Sequence, residues 1–390
     1  WNAIIADAVA DRASDIHLER YPERVRVRFR VDGDLHDVTH YTLTPAQLRG
    51  VINVLKISAE LDIAERRRPQ GGRYHVRVGD QGFDLRVQTQ PSLHGEHAVV
   101  RLLPQEQAQL DLDGLGYAAP VLSAYRRLLD SPSGLVLVVG PTGSGKSTTL
   151  TAGLQVLAAD PTRKVITVED PIEVALPGIQ QTRARPDLGF GFADAMRAFV
   201  REDPDVILVG EIRDHETALE AIRASQTGHL VLSTLHCNDS VDAAQRLLDL
   251  GVHENSVASE LLAVFAQRLA RRVCPRCRVP HAPDPVLLRE VFPSGVPADF
   301  RAFVGKGCAE CRTRGTRGRV AIGEYLEVGP SLRLAIAARK PADELRSEAL
   351  RNGLVTLRTH ALALVSQGVI AFEELRGILS WEQLSGVHAR

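Results

Sequence analysis

Residues 25–31 (Val25-Arg26-Val27-Arg28-Phe29-Arg30-Val31) alternate strictly between apolar and basic side chains. A period of two predicts a strand with one apolar and one arginine-rich face, closed by a turn at Asp32-Gly33. The alternation recurs over residues 74–78 and 83–87, on either side of the turn Gly79-Asp80-Gln81-Gly82, and residues 99–102 read as a last strand. Helical spacing marks residues 2–12, through Ile4, Ile5, Ala8 and Val9, and again residues 45–61. Residues 1–104 therefore predict a small N-terminal α+β domain.

Residues 105–118 hold Gln, Asp and Gly without a strong period and read as a linker. Beyond them the pattern changes. Residues 135–139, 165–168, 206–209 and 230–233 are apolar rather than alternating, and helical stretches separate them at 147–157, 192–201, 216–224 and 241–250. Strands buried on both faces and joined through helices form a largely parallel sheet, so residues 119–273 predict an α/β core with helices on both sides. Residues 274–322, rich in Pro, Gly, Cys and Arg with little periodicity, read as a separate module. Residues 323–390 predict a C-terminal helical region, clearest at 341–351 and 357–367.

Composition narrows the function. The 390 residues carry 44% hydrophobic and 24% charged side chains, as in an ordinary globular protein of two or three domains. Net charge is −1, and aromatic residues make up 5%. A nucleic-acid partner is not expected from so neutral a chain with so few stacking residues. No apolar run is long enough to span a bilayer, and no signal peptide is evident. The chain opens on Trp1 rather than Met, which reads as a start inside a longer protein.

The candidate chemistry begins at Gly140-Pro-Thr-Gly-Ser-Gly-Lys146-Ser147, which fits GxxxxGK[ST] between an apolar strand and a helix. Gly143 and Gly145 let the backbone bend so that its N–H groups face phosphate oxygens. Lys146 supplies charge to the β and γ phosphates, and Ser147 offers a hydroxyl to Mg²⁺. Gly140, Pro141, Thr142, Gly143, Ser144, Gly145, Lys146, Ser147 and Thr148 are thus the candidate ATP contacts. The apolar strand at 206–209 leads to Glu211, placed to polarise water, or simply a solvated strand-end acid. Gly210 stands where many enzymes with this loop place a magnesium-binding Asp. Glu169-Asp170-Pro171-Ile172-Glu173 ends another strand and suits Mg²⁺ or water, or a charged turn stiffened by Pro171. His229 and His236 bracket the strand at 230–235, where a histidine can sense a γ-phosphate or serve only structure. Cys274, Cys277, Cys308 and Cys311 form two CxxC pairs separated by thirty residues, the spacing of a closed structural Zn²⁺ site in a cytosolic chain.

Together these motifs resemble the Walker A, Asp box, Walker B and His box of the bacterial type II secretion and type IV pilus assembly ATPases. The segments are Gly140–Ser147, Val168-Glu-Asp-Pro-Ile-Glu173, Asp203-Pro-Asp-Val-Ile-Leu-Val-Gly-Glu-Ile-Arg-Asp214 and Thr227-Gly-His-Leu-Val-Leu-Ser-Thr-Leu-His236. The likeness reaches into the first domain at Ala13-Ser-Asp-Ile-His-Leu-Glu19 and Arg28-Phe-Arg-Val-Asp-Gly33, and is closest to the type II secretion ATPase. It implies a RecA-like core, a PAS-like first domain, and a hexameric ring driving assembly of a pseudopilus or, alternatively, extension of a pilus. A nucleic-acid translocase or a non-hydrolysing nucleotide scaffold on the same fold are the competing readings. The resemblance implies Glu211 as catalytic carboxylate, Glu169 as its helper, His229 and His236 as nucleotide contacts, and Arg86 and Arg101 as arginines reaching the phosphates. Arg73 is a weaker candidate. Cys237 departs from the Thr common in relatives.

The family also implies a cytoplasmic location against the inner membrane, with a platform protein and a membrane-associated docking protein as partners. Its type II members carry a tetracysteine module at this position, whereas pilus retraction ATPases lack it. Arginine is dense on either side of the cysteines, at Arg268, Arg271, Arg272, Arg276, Arg278, Arg312, Arg314, Arg317 and Arg319. Subunit contact, nucleic acid, acidic phospholipid and plain solvation are the readings of this patch, and the resemblance favours the lipid.

Overall fold

The computed structural model describes residues 1–105 and 111–386. Five residues of the expected linker, 106–110, lie outside the described residues. The chain divides into two compact units between Ala108 and Gln109.

In the first unit, α1 (Asn2–Ala10) and α2 (Pro45–Ser58) accompany β1 (Asp15–Arg20), β2 (Val25–Val31), β3 (Asp34–Asp37), β4 (Gln70–Val78), β5 (Gln81–Ser92) and β6 (Gly95–Pro104). The strands form one antiparallel sheet in the order β3-β2-β1-β6-β5-β4. The alternation works as its period demands. Val27, Phe29 and Val31 are buried with Ile16, Leu18, Leu85, Val100 and Leu102, and Ile4, Ile5, Leu48, Ile52 and Leu55 of the helices join that core. Burying each such side chain favours folding by about 1.5–3 kcal/mol. The opposite face is polar. Across it Arg73 stands opposite Arg86, Arg86 opposite Arg101, Arg101 opposite Asp15, and Asp15 opposite Arg30. The helices expected over residues 2–12 and 45–61 end earlier than spacing suggested, and the β4–β5 turn is tighter, with Val78 already paired to Gln81.

Lys56 breaks the apolar pattern of α2. Its side chain is fully buried, and its ammonium donates to the Glu65 carbonyl at 2.7 Å and to the Glu96 carboxylate. Removing one member of a buried ion pair strands the other charge. Lys56→Met is therefore expected to destabilise the protein by about 3–5 kcal/mol. Adding Glu96→Leu should recover much of that loss. Chemical denaturation of the single and double variants checks both statements.

The second unit opens with α3 (Ala119–Leu129). Its sheet takes β7 (Gly134–Val139), β8 (Val165–Glu169), β9 (Gln180–Arg183), β10 (Val206–Val209), β11 (Leu230–Leu235), β12 (Leu261–Val273) and β15 (Thr316–Glu327), in the order β15-β12-β7-β11-β10-β8-β9. All pairs are parallel except β12 with β15. Strands β7, β10 and β11 are buried throughout, as their unbroken apolar runs require. On one face α4 (Lys146–Ala158) and α3 close a core around Tyr125, Leu150 and Phe265. On the other, α5 (Phe192–Phe199), α6 (His215–Gln226), α7 (Ser240–Asp249) and α8 (Glu254–Glu260) cover Leu135, Ile207 and Val231.

Strand β15 changes the reading of the cysteine region. The expected module end at residue 322 falls inside it, and β15 belongs to the core sheet. Between β12 and β15 lie β13 (Arg278–His281), α9 (Pro285–Val291) and β14 (Ala302–Gly305), with β13 and β14 paired antiparallel. The chain ends in α10 (Pro330–Ala337), α11 (Ala342–Arg351), α12 (Leu357–Ser366), α13 (Leu375–Ile378) and α14 (Trp381–Ser385). Leu287, Val291, Ile322, Leu357, Ala361 and Phe372 share one further core, so the module and the C-terminal helices are packed together. No described helix is long and apolar enough to cross a membrane.

Candidate functional site

Parallel register places four strand ends at one edge of the sheet. Val139 pairs with Leu235, Val209 with Ser233, and Val168 with Val209. The segments that follow, Gly140 to Gly145, Glu169, Glu211 and His236, therefore share that edge. The loop takes the shape its glycines permit, with φ of +148° at Gly140, +78° at Gly143 and +88° at Gly145. A Cβ at Gly140 would lie 2.5 Å from the Gln267 carbonyl oxygen, and one at Gly145 would lie 2.6 Å from Gln267 Nε2. Strand β12 thus backs the loop, and a larger residue at either position would push it off. A Cβ at Gly143 would meet nothing within 4 Å, so the loop is open there.

Two features of the loop fit a phosphate. The Ser144 hydroxyl is buried without a hydrogen-bond partner, an arrangement that an oxygen-rich ligand would satisfy. The first amides of α4, including those of Lys146, Ser147 and Thr148, have no intrahelical acceptor and carry the positive end of the helix dipole. The Lys146 ammonium donates to the carbonyls of Gly140 at 2.8 Å and Pro141 at 3.0 Å. Burial pulls its pKa down, and the nearby Glu211 charge opposes that shift.

Glu211 is fixed by its neighbours. Thr234 Oγ1 donates to the Gly210 carbonyl at 2.8 Å, and the Ile212 amide donates to the Thr234 carbonyl at 3.0 Å. Its carboxylate pairs with Arg213 and lies 3.6 Å from His236 Nε2. Glu169 accepts from Thr167 Oγ1 at 2.6 Å and Gln181 Nε2 at 2.9 Å. Beside the loop is a cleft of about 550 Å³ walled by Pro141, Thr142, His236, Cys237 and Asn238. Burial, with the Asp242 charge adding to it, pushes the Cys237 thiol up to about 12, so it stays protonated.

The four paired cysteines converge. Their sulfurs all lie within 4.8 Å of one another, with Cys274–Cys308 and Cys277–Cys311 at 3.8 Å and Cys308–Cys311 at 3.7 Å. A tetrahedral zinc site with Zn–S of 2.3 Å has sulfurs about 3.8 Å apart. The donor set and its spacing fit zinc. The amides of Cys308 and Gly315 also donate to Cys311 Sγ, at 3.2 and 3.3 Å.

A model of the type II/IV secretion system protein family matches residues 1–377. The chain belongs to that family. The type IV pilus assembly ATPase PilB of Myxococcus xanthus is 44% identical over 382 residues, covering 96% of this chain and 66% of PilB. The type II secretion system ATPase E of Vibrio cholerae is 43% identical over 374 residues, covering 96% and 73%. The chain thus spans about two thirds of the length of the first and somewhat more of the second. The crystal structure of the pilus retraction motor PilT with bound ADP superposes with a TM-score of 0.65 at 27% identity, over 96% of each chain. The α/β fold is that of the secretion ATPases.

Within this family framework the expected site residues separate. Gly140 to Thr148, Glu169, Glu211 and His236 come together. His229 does not. It precedes β11, at the opposite end of a strand roughly 20 Å long. There its Nδ1–H reaches the Ala224 carbonyl at 2.9 Å and secures the end of α6. Within this chain, His229 is thus held by α6 and stands apart from the loop. Arg86 and Arg101 stand side by side on the first unit's polar face, and Arg101 Nε donates to the buried Asp15 at 2.9 Å.

The arginine patch also divides. Arg268 lies at the phosphate loop, donating to the carbonyls of Gln267 at 2.9 Å and Asn238 at 2.7 Å. Arg271 binds Glu374, Arg276 and Arg317 bind Glu310, and Arg278 sits over the Phe303 ring. Sequence reading missed Arg213 and Gln267, and counted Arg268 only with the arginines around the cysteines. Gln267 Oε1 accepts from Thr149 Oγ1 at 2.8 Å and from the Tyr117 hydroxyl. The available signal was a Gln-Arg pair interrupting the apolar run of β12.

Gly210 has a packing reason. A Cβ there would lie 3.2 Å from the Val168 carbonyl and 3.4 Å from Glu169 Cα. Gly210→Asp is expected to lower stability by about 1–3 kcal/mol through overpacking, and to gain no magnesium affinity. Thermal denaturation with and without Mg-ATP reads both effects.

Proposed function

We propose that this chain hydrolyses Mg-ATP and uses the energy to assemble a pseudopilus for type II secretion, or a pilus built on the same principle. The observation carrying the proposal is the shared sheet edge, where the orphaned Ser144 hydroxyl, Lys146, Glu211 and His236 face one loop. The names of the relatives, pilus assembly and secretion ATPases at 44% and 43% identity, support both forms of filament.

In this reading Gly140 to Thr148 hold the triphosphate, and Ser147 contributes to Mg²⁺, which neutralises phosphate charge when bound. Glu211 orients and polarises the attacking water, Glu169 assists, and His236 answers to the phosphate beside it. Cys274, Cys277, Cys308 and Cys311 hold a structural Zn²⁺. The working form is a homo-hexamer on the cytoplasmic face of the inner membrane. It works with a platform protein, a docking protein and acidic phospholipid, without nucleic acid. Arg86 and Arg101 supply guanidinium charge to the phosphates.

The test is magnesium-dependent phosphate release by the full chain, with nucleotide binding measured in parallel. Arg86→Ala and Arg101→Ala are expected to bind ATP and to turn it over at least ~10³-fold more slowly, the scale of an arginine finger. Near-normal turnover in both removes that assignment, and a chain that neither binds nor cleaves ATP at saturating magnesium removes the proposal.

A further inference from the structure

Buried charge gathers behind the segment that joins β11 to α7. That segment, residues 236–239, begins with His236 at the phosphate edge and ends with Asp239 inside the protein. Asp239 Oδ1 caps α7, accepting from the amides of Val241 and Asp242 at 3.0 Å each. Its other oxygen accepts from Arg346 Nη2 of α11 at 2.7 Å. The next residue, Ser240, donates through its amide at 2.9 Å and through its hydroxyl to Glu324 of β15, a carboxylate only 2% exposed. The other Glu324 oxygen accepts from the Leu357 amide at the start of α12, at 3.1 Å.

Three carboxylates thus meet here, since Asp242 also lies 3.8 Å from Arg346. The guanidiniums facing them are Arg268, anchored at the loop side on the Asn238 carbonyl, and Arg346, anchored in the C-terminal helices. Isolated buried carboxylates repel and resist ionisation. Without Arg346, Asp239 would lose its directly paired guanidinium, with Arg268 left as the more distant positive charge, and the anchor of the His236 segment would be released at one end. Arg346 touches neither the loop nor Glu211 in this arrangement. It acts on them through Asp239 and Asp242 at the start of α7.

We infer that Arg346 is a positioning residue for ATP hydrolysis, clamping the β11–α7 segment so that His236 stands against Glu211. The inference rests on the ATPase reading above. It makes α11, a helix remote in sequence from every nucleotide motif, part of the hydrolytic apparatus.

The test compares His236→Ala, Arg346→Ala and the double variant in the full chain at saturating Mg-ATP. A misplacement of about 1 Å at a reacting group can cost ~10²-fold, so Arg346→Ala should lower kcat by roughly 10- to 100-fold with KM for ATP little changed. Because both residues act as one unit, the double variant should be no slower than His236→Ala alone. Arg346→Lys, which keeps the charge but loses the planar fork, should fall between wild type and Arg346→Ala. If Arg346→Ala fails to fold, Arg346→Lys carries the same comparison. An unchanged kcat in the folded Arg346 variant, losses that multiply in the double variant, or a His236→Ala protein of normal kcat would each overturn the inference. Those outcomes leave an active wild type. A wild type without ATPase activity would instead sink the functional reading itself.

Discussion

Lys146→Ala is expected to abolish ATP turnover, lowering magnesium-dependent phosphate release by ~10²-fold or more, the scale of removing one preorganised donor from a charged transition state. The reason is local and electrostatic. Lys146 is half-buried at the first turn of α4, and its ammonium is already turned over the loop onto the Gly140 and Pro141 carbonyls. A phosphate entering the loop would take over those donors at close range, where screening by water is weak. Alanine leaves the backbone cradle intact but removes the ammonium that lies over it. Glu211→Gln tests the other half of the site. It keeps the shape that Arg213 and His236 pack against, and loses the negative charge needed to polarise water. Fluorescent-nucleotide binding should therefore fail in Lys146→Ala and persist in Glu211→Gln, while phosphate release fails in both. Turnover within a few-fold of wild type for Glu211→Gln would move the catalytic role to another acid of that edge, with Glu169 the nearest candidate by strand order.

How much of this was legible in the sequence depends on whether a local period or a distant contact carried the information. Strand β2 was plain because its apolar and basic residues alternate with the pleat, and one face must be buried. The phosphate loop was plain because its glycines and lysine lie within eight residues between a strand and a helix. Strand β12 was not seen. It is buried on both faces for much of its length and rich in alanine, so no period betrays it. Its partner β15 follows a break of more than forty residues and pairs antiparallel, which a local pattern cannot announce. The division of the arginine-rich patch was hidden for the same reason. Proximity in sequence suggested one surface, whereas β12 and its bulge near Arg271 send Arg268 to the nucleotide edge and Arg271 to Glu374. His229 and His236 look equivalent in the motif. The sequence puts one at each end of the strand, and the parallel register of β11 with β7 shows that His236 is the one at the loop.

The second large effect is expected at the cysteines. Zinc bound by four thiolates contributes about 10–16 kcal/mol of local folding free energy in small zinc domains. Here the metal would tie the turn after β12 to the turn before β15, closing a segment whose only sheet among the described residues is the four-residue pair β13–β14. Cys274→Ser or Cys308→Ser should abolish zinc stoichiometry measured by elemental analysis and lower the melting temperature by more than any single core substitution. The damage should spread beyond the module. Leu287 and Val291 pack with Ile322 of β15 and with Leu357 and Phe372 of the C-terminal helices. Loss of the cysteine knot would loosen β15, and with it Glu324, which accepts from the start of α7 and of α12. Amide exchange should therefore rise first over residues 278–305 and then over 316–327 when metal is stripped with a chelator, while the parallel strands β8 and β10 stay protected. Cys237→Ser serves as the control, since its sulfur lies in the cleft beside Thr142 and not in the cysteine cluster. A Cys274→Ser protein that retains one zinc per chain and melts as wild type would show that these four sulfurs are held together by packing rather than by a metal.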